Sequence, residues 1–221
     1  MATEGSLKPG GGASLRPGGG GSGAGAGAVE PAGPQHNLHQ TWTLWYNNTS
    51  KGGGGDEAWL GKLREVYTFS TVETFWCLYN NILPASRLSM QSDFSLFVKG
   101  IQPTWEDEAN AKGGRWIITV PKGERHRSLD AWWLYSMLTC IGETLDDTGS
   151  EIAGVVVSIR KREDRVAVWT RNAANEELQM KIGHEIRRLV DVPINIPVKY
   201  QAHNDAIAAG GRAGKKCAYE A

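Results

Sequence analysis

Val66-Tyr67-Thr68-Phe69-Ser70-Thr71-Val72-Glu73-Thr74-Phe75-Trp76-Cys77-Leu78-Tyr79-Asn80-Asn81 changes its hydrophobic period partway along. Val66 to Phe69 is β-branched and aromatic, the composition of a strand. From Val72 the apolar residues Val72, Phe75, Trp76 and Tyr79 recur at i, i+3, i+4 and i+7, one face of a helix. Ser70 is expected to cap that helix, with Glu73 three residues on as its capping-box partner, and Pro84 marks the exit. A strand handing directly to an amphipathic helix points to sheet and helices sharing one core.

Outward from this unit the pattern repeats. Upstream, Leu38, Trp42 and Leu44 lie on one face of a strand. Downstream, Asp93 to Val98 reads as a strand or a loop entry. Trp116 to Val120 is a β-branched strand ended by Pro121. Ser128 to Gly142 is expected to be a second helix. Strands at Ile152–Arg160 and Asp164–Thr170 flank the charged turn Lys161-Arg162-Glu163-Asp164. Asn175 to Leu189 is a third helix with Leu178, Ile182, Ile186 and Leu189 inside, and Val192 to Tyr200 is a last strand. The expected class is α+β, with about eight mostly antiparallel strands backed by three helices.

Residues 1–35 hold twelve of the 28 glycines, four prolines and no aromatic residue. Such a segment cannot bury enough apolar surface to offset its ordering entropy, so a disordered Gly-rich tail is expected there. Residues 36–221, about 185 of them, suffice for one domain; a flexible C-terminal segment is expected from about residue 204, where the chain turns Ala/Gly-rich. No apolar run reaches the roughly 20 residues of a bilayer span. The formal net charge is zero, so any anionic partner must be held by a local patch. Cys77, Cys140 and Cys217 are far apart with no CxxC, which suits a reducing compartment, cytoplasmic or nuclear.

Nine Trp are more than a core of this size needs. Trp105-Glu106-Asp107-Glu108 sets an indole beside three carboxylates, a pairing suited to a flat, cationic ring with a donor edge. It also suits a solvated acidic loop over one packed Trp. Arg160, Arg162 and Arg165 would converge on one end of a hairpin and could fork to a di- or triphosphate, or form an ordinary solvated tip. Gly113-Gly114 before Arg115-Trp116 is read as a simple turn, with close approach to a ligand as the other reading. The five His form no HExxH, and neither GxSxG nor GxxxxGK[ST] occurs. Catalytic residues, metal ligands and a cofactor are therefore not expected. A hydrolase using Glu106, Asp107 and Glu108 remains a distant alternative.

In sum these motifs resemble eukaryotic translation initiation factor 4E, over essentially all of residues 36–219. The series is His36-x-Leu38-x-x-x-Trp42-x-Leu44-Trp45; Phe69-Ser70-Thr71-Val72-Glu73-x-Phe75-Trp76-x-Leu78-Tyr79-Asn80; Gly100-Ile101-x-Pro103-x-Trp105-Glu106-Asp107-Glu108; Gly113-Gly114-Arg115-Trp116; Ile141-Gly142-Glu143; Gly154-x-Val156-Val157-x-Ile159-Arg160; and Trp169-Thr170. Asn172-Ala173-Ala174-Asn175-Glu176 is most similar to the plant and green-algal branch. The resemblance implies a curved sheet with three helices on its convex back and a site for the 7-methylguanosine cap of mRNA on the concave side. It assigns Trp59 and Trp105 to the base sandwich, Glu106 to the guanine edge and Trp169 to the N7-methyl group. It assigns Arg115, Arg160, Arg162 and Arg165 to the triphosphate. It also implies a dorsal face where the scaffold initiation factor 4G or other proteins with a 4E-binding motif dock, at His36, Val72, Trp76, Leu134, Leu138 and Gly142. Tyr135 replaces the family's dorsal glutamate. The resemblance thus implies a monomer within a heteromeric complex; its alternative is a cap-binding repressor that does not engage the scaffold.

Overall fold

The unit read from residues 66–81 forms as a strand and helix in the computed structural model, which describes residues 33–48, 63–208 and 217–221. All of these belong to one unit, 31–221; the expected tail at 1–35 lies mostly outside the described residues. The elements run β1 (Asn37–Asn48), β2 (Arg64–Thr71), α1 (Val72–Asn81), β3 (Ser92–Val98), α2 (Glu108–Ala111), β4 (Gly114–Val120), α3 (Asp130–Ile141), β5 (Ile152–Ser158), β6 (Asp164–Thr170), α4 (Glu176–Leu189), β7 (Val198–Ala202), α5 (His203–Ala208) and β8 (Tyr219–Glu220). The eight strands make one curved sheet in the order β2-β1-β3-β5-β6-β4-β7-β8, antiparallel at every pairing.

The alternation along the strands divides the sheet into two faces. Trp42, Leu44, Phe94, Leu96, Val155, Val157, Trp116, Ile118, Val166, Val168 and Tyr200 point to one side. There they pack against Phe75 of α1, Trp133 and Met137 of α3, and Ile182 and Ile186 of α4. Each such side chain contributes roughly 1.5–3 kcal/mol on burial. Trp116 is fully buried, and its Nε1–H donates to Gln179 Oε1 at 3.2 Å. That acceptor spares the indole a desolvation penalty of about 1–3 kcal/mol. Phe97, Ala153, Ala167 and Trp169 face the other way and form a smaller cluster with Trp45, Trp105, Ile117 and Val156. The register lines up Trp45, Ser95, Val156, Ala167, Ile117 and Lys199 as one row across this open face.

Several expectations shift. Thr71, not Ser70, caps α1: its Oγ1 accepts from Thr74 N–H at 3.2 Å, and Thr74 Oγ1 accepts from Thr71 N–H at 3.3 Å. β2 pairing runs on to Thr71, so the cap moves one residue, and Glu73 turns instead to His36. Residues 93–98 are a central strand, paired on both sides. The last strand begins only at Val198, because Pro193 and Pro197 have no N–H for a ladder. The α3 helix is preceded by a π-helical turn, Arg125–Leu129. Alongside the three helices that back the sheet, α2 and α5 contact each other beside the open face. With four and six residues they are too short to carry a readable period.

Candidate functional site

Five segments meet on the open face around a cavity of ≈ 240 Å³, lined among others by Asp93, Trp105, Glu106, Arg115, Arg160 and Trp169. The loop carrying Trp105 and Glu106 is held by its own polar residues. Asp107 Oδ1 accepts from Ala109 N–H at 3.0 Å as the α2 cap, and its Oδ2 accepts from Gln102 N–H at 2.9 Å. Asn110, fully buried, donates from Nδ2 to the carbonyls of Gln102 and Thr104 at 2.8 and 2.7 Å. These bonds fix the loop so that Trp105 stands half-buried while the Glu106 carboxylate stays exposed.

Arg115 and Trp169 sit opposite each other on β4 and β6. The Arg115 guanidinium lies 5.8 Å from the Trp105 ring centre and 6.0 Å from that of Trp169, the geometry of a cation over two indoles. Its Nη2 donates to Gln201 Oε1 at 3.0 Å. Burial, then the nearby Arg165 and Arg160, push its pKa down to about 10, so it stays charged at neutral pH. Trp169 is wedged between Phe97, edge-on at 5.4 Å, and His203, at 4.3 Å. The His203 ring is fully buried, and burial followed by the Arg115 charge pushes its pKa down to about 3, so it is neutral. Trp169 Nε1, Arg115 Nε and both His203 ring nitrogens are buried with no hydrogen-bond partner among the described residues. In and behind the floor of the site, hydrogen-bonding groups thus stand unused by the described residues.

The candidate phosphate arginines differ from one another. Arg160 is not a free guanidinium: its Nη2 donates to both Asp93 carboxylate oxygens at 2.7 and 3.0 Å. Arg165 is tied to Glu163 Oε1 at 2.7 Å. Arg162 is exposed at the tip and does not line the cavity. Asp164, expected in a solvated turn, is instead fully buried. It accepts from Arg125 Nε at 2.6 Å, Lys122 Nζ at 2.9 Å and Arg160 N–H at 3.1 Å. Burial raises this carboxyl, but those hydrogen bonds outweigh burial and hold it below the usual carboxylate range.

Gly113 and Gly114 are more than a turn, yet the close approach is to the sheet itself. A Cβ on Gly113 would lie 1.9 Å from the Thr170 carbonyl oxygen, and one on Gly114 2.5 Å from the Tyr200 hydroxyl. Trp59 lies outside the described residues. Asp93, Gln201, His203 and Asn110 were missed from sequence. Only Asp93 gave a signal, as an acid on a strand of otherwise apolar and small residues.

On the helix side, Trp76 is 37% exposed on α1, Val72, Leu134 and Leu138 are half-buried, and Gly142 caps α3. His36 is fastened to α1: its N–H and Nδ1 meet the Glu73 carboxylate at 2.9 and 2.6 Å, and its carbonyl accepts from Val72 N–H at 2.9 Å. These bonds hold the Glu73 carboxyl down at about 2. Among the described residues no helix is long and apolar enough to cross a membrane, and no three His, Cys, Asp or Glu are grouped to hold a metal ion.

The chain is similar to known proteins. The family model described as eukaryotic initiation factor 4E matches residues 37–217. Eukaryotic translation initiation factor isoform 4E of Arachis hypogaea is 46% identical over 175 residues, 79% of this chain and 83% of that protein. The crystal structure of Ascaris suum eIF4E-3 with an m2,2,7G cap superposes with a TM-score of 0.76 at 36% identity, covering 85% of this chain and 98% of the other. Caenorhabditis elegans eIF4E-3, solved with the 4E-binding protein Mextli and a cap analog, gives the same score at 34% identity, covering 85% and 100%.

Proposed function

This chain belongs to the eukaryotic initiation factor 4E family, on the side of its plant isoforms, and from that premise we propose that its open face binds the 7-methylguanosine cap of mRNA. The observation that carries the reading is the meeting of Trp105, Glu106, Arg115, Arg160 and Trp169 around one cavity. Methylation at N7 leaves guanine cationic. The Trp105 face attracts it, stacking is worth roughly 1–3 kcal/mol per base, and the charge adds a cation–π contribution. Trp59 is proposed as the second indole of the sandwich. The Glu106 carboxylate accepts from the N1–H and N2–H edge, which unmethylated guanine also offers. Discrimination between the two bases therefore rests on the indoles, and Glu106 sets orientation and affinity.

The triphosphate lies toward Arg115, Arg160, Arg162 and Arg165. Arg162 is the cation with the most freedom to reach it. Arg160 is held in place by Asp93 and by the Ser92 and Ile159 carbonyls, so it acts through its field, with Nε–H as the one side-chain donor not engaged by a described residue. Trp169 presents its indole to the N7-methyl group, braced from behind by His203 and Phe97. The protein's work is binding, not turnover, in the cytoplasm and the nucleus.

The helix side, at His36, Val72, Trp76, Leu134, Leu138 and Gly142, is proposed to take a helical segment of a scaffold such as initiation factor 4G or of another 4E-binding protein. That makes the chain an initiation factor rather than a repressor isolated from the scaffold. Calorimetric titration of 7-methyl-GTP against GTP tests the cap reading. The expected result is much tighter binding of the methylated nucleotide, with Trp105→Ala removing the preference. Equal affinities, or conversion of the nucleotide during the titration, would overturn it.

A further inference from the structure

The arginines assigned to the triphosphate do not account for all the basic charge at their end of the sheet. Arg87, Arg127 and Lys161, like Arg162, are exposed, and none of the four forms an ion pair or side-chain hydrogen bond with a described residue. They come from three segments: the 3₁₀ turn Ala85–Arg87, the π-helical turn Arg125–Leu129 and the β5–β6 tip.

Two acids bring these segments together. Asp164 at the tip binds Lys122 and Arg125, so the 122–127 stretch is tied to the hairpin. Asp130, at the start of α3, accepts from Ser86 N–H at 2.8 Å and Ser86 Oγ at 2.6 Å, which ties the 85–87 turn to the same stretch. Leu88 and Leu129 are buried within the core beside them. The nearby acids are largely engaged: Asp93 by Arg160, Glu163 by Arg165, Asp164 by Lys122 and Arg125, and Asp130 by Ser86. Glu124 is the exception. In a chain of zero formal net charge, this end carries a local excess of unpaired cations.

We propose that this surface, continuous with Arg160 and Arg162, carries the RNA strand that follows the cap through contacts from Arg127, Lys161 and Arg87 to its first phosphodiesters. The proposal rests on the cap reading. A single strand brings one negative charge per nucleotide, and exposed unpaired cations gain from it by releasing condensed counterions. No base is read by these groups, so the contact is indifferent to sequence. None of the three lines the cavity assigned to the cap nucleotide.

The test titrates the full chain with 7-methyl-GTP and with a capped, unstructured 12-nucleotide RNA at two salt concentrations. The RNA is expected to bind about tenfold tighter at low salt, an advantage that shrinks as salt rises by a slope of about 0.7 per phosphate contacted. The double variant R127E/K161E is expected to lose that advantage while binding 7-methyl-GTP within about twofold of the parent. R87E, from the third segment, gives a smaller loss of the same kind. Equal binding of RNA and 7-methyl-GTP by the parent at low salt overturns the proposal. So does an equal loss for both ligands in the double variant, and so does an RNA advantage that the charge reversals leave intact. If 7-methyl-GTP itself fails to bind, the cap reading falls and takes this surface with it; if it binds and the RNA adds nothing, only the surface falls.

Discussion

Replacing Gly113 by Ala would set a methyl 1.9 Å from a main-chain oxygen of Thr170. Backbone cannot swing aside as a side chain does, so β4 and β6 must separate just where Arg115 faces Trp169. Gly113→Ala should cost about 1–3 kcal/mol in urea unfolding, the range for overpacking. His203 makes a second prediction, through pH. Its ring stays neutral in the fold down to about pH 3, whereas in the unfolded chain it takes a proton below its ordinary 6.5. The unfolded state then binds more protons, so acid favours unfolding. The His203 contribution should be full above pH 6.5 and fall by about 1.4 kcal/mol for each unit from there down to about pH 3. Urea melts at pH 7 and pH 5 should differ by about 2 kcal/mol, and His203→Phe should remove most of that difference.

The β5–β6 hairpin and its neighbouring turn are one unit because of a single carboxylate. Asp164→Asn leaves Lys122 and Arg125 without their buried counter-charge and is expected to lower stability by about 3 kcal/mol, read by thermal or urea unfolding. On the opposite layer, Trp76 is the large exposed aromatic of α1. Trp76→Ala is expected to weaken an amphipathic 4E-binding peptide by tenfold or more, about 2 kcal/mol, and to leave 7-methyl-GTP affinity alone. Loss of both would make Trp76 structural. At this scale the sequence was most readable where a period ran long. The α1, α3 and α4 helices and strands β1, β2, β4, β5 and β6 announced themselves by spacing. The short α2 and α5 did not, and Ser70 looked like a cap because sequence cannot say how far the β1–β2 ladder continues. The charged turn misled for a related reason. Asp164 reads as solvent-facing until Arg125, thirty-nine residues earlier in the chain, is seen to fold onto it.

For the molecule as a whole, one sheet serves two faces. The α+β class and the antiparallel sheet were legible from composition and period; the strand order was not, because register depends on partners distant in sequence. Trp105, Glu106 and Arg115 were legible as candidates from their residue types. Their common cavity with Asp93 and Trp169, and the His203 brace, required three dimensions. The partition of the tryptophans has a spectroscopic consequence. Trp42, Trp116, Trp132 and Trp133 are sealed in the helix-side core, Trp105 and Trp169 line the open face, and Trp76 stands in solvent on the back. Emission from the sealed indoles should be blue and indifferent to either ligand. A cap nucleotide stacked on the open face should dim the spectrum without abolishing it. A helix docked on the back should instead strip water from Trp76 and move the remaining light to shorter wavelength. Trp76→Phe should silence the colour change and spare the dimming, so two occupancies can be followed in one cuvette with no label attached.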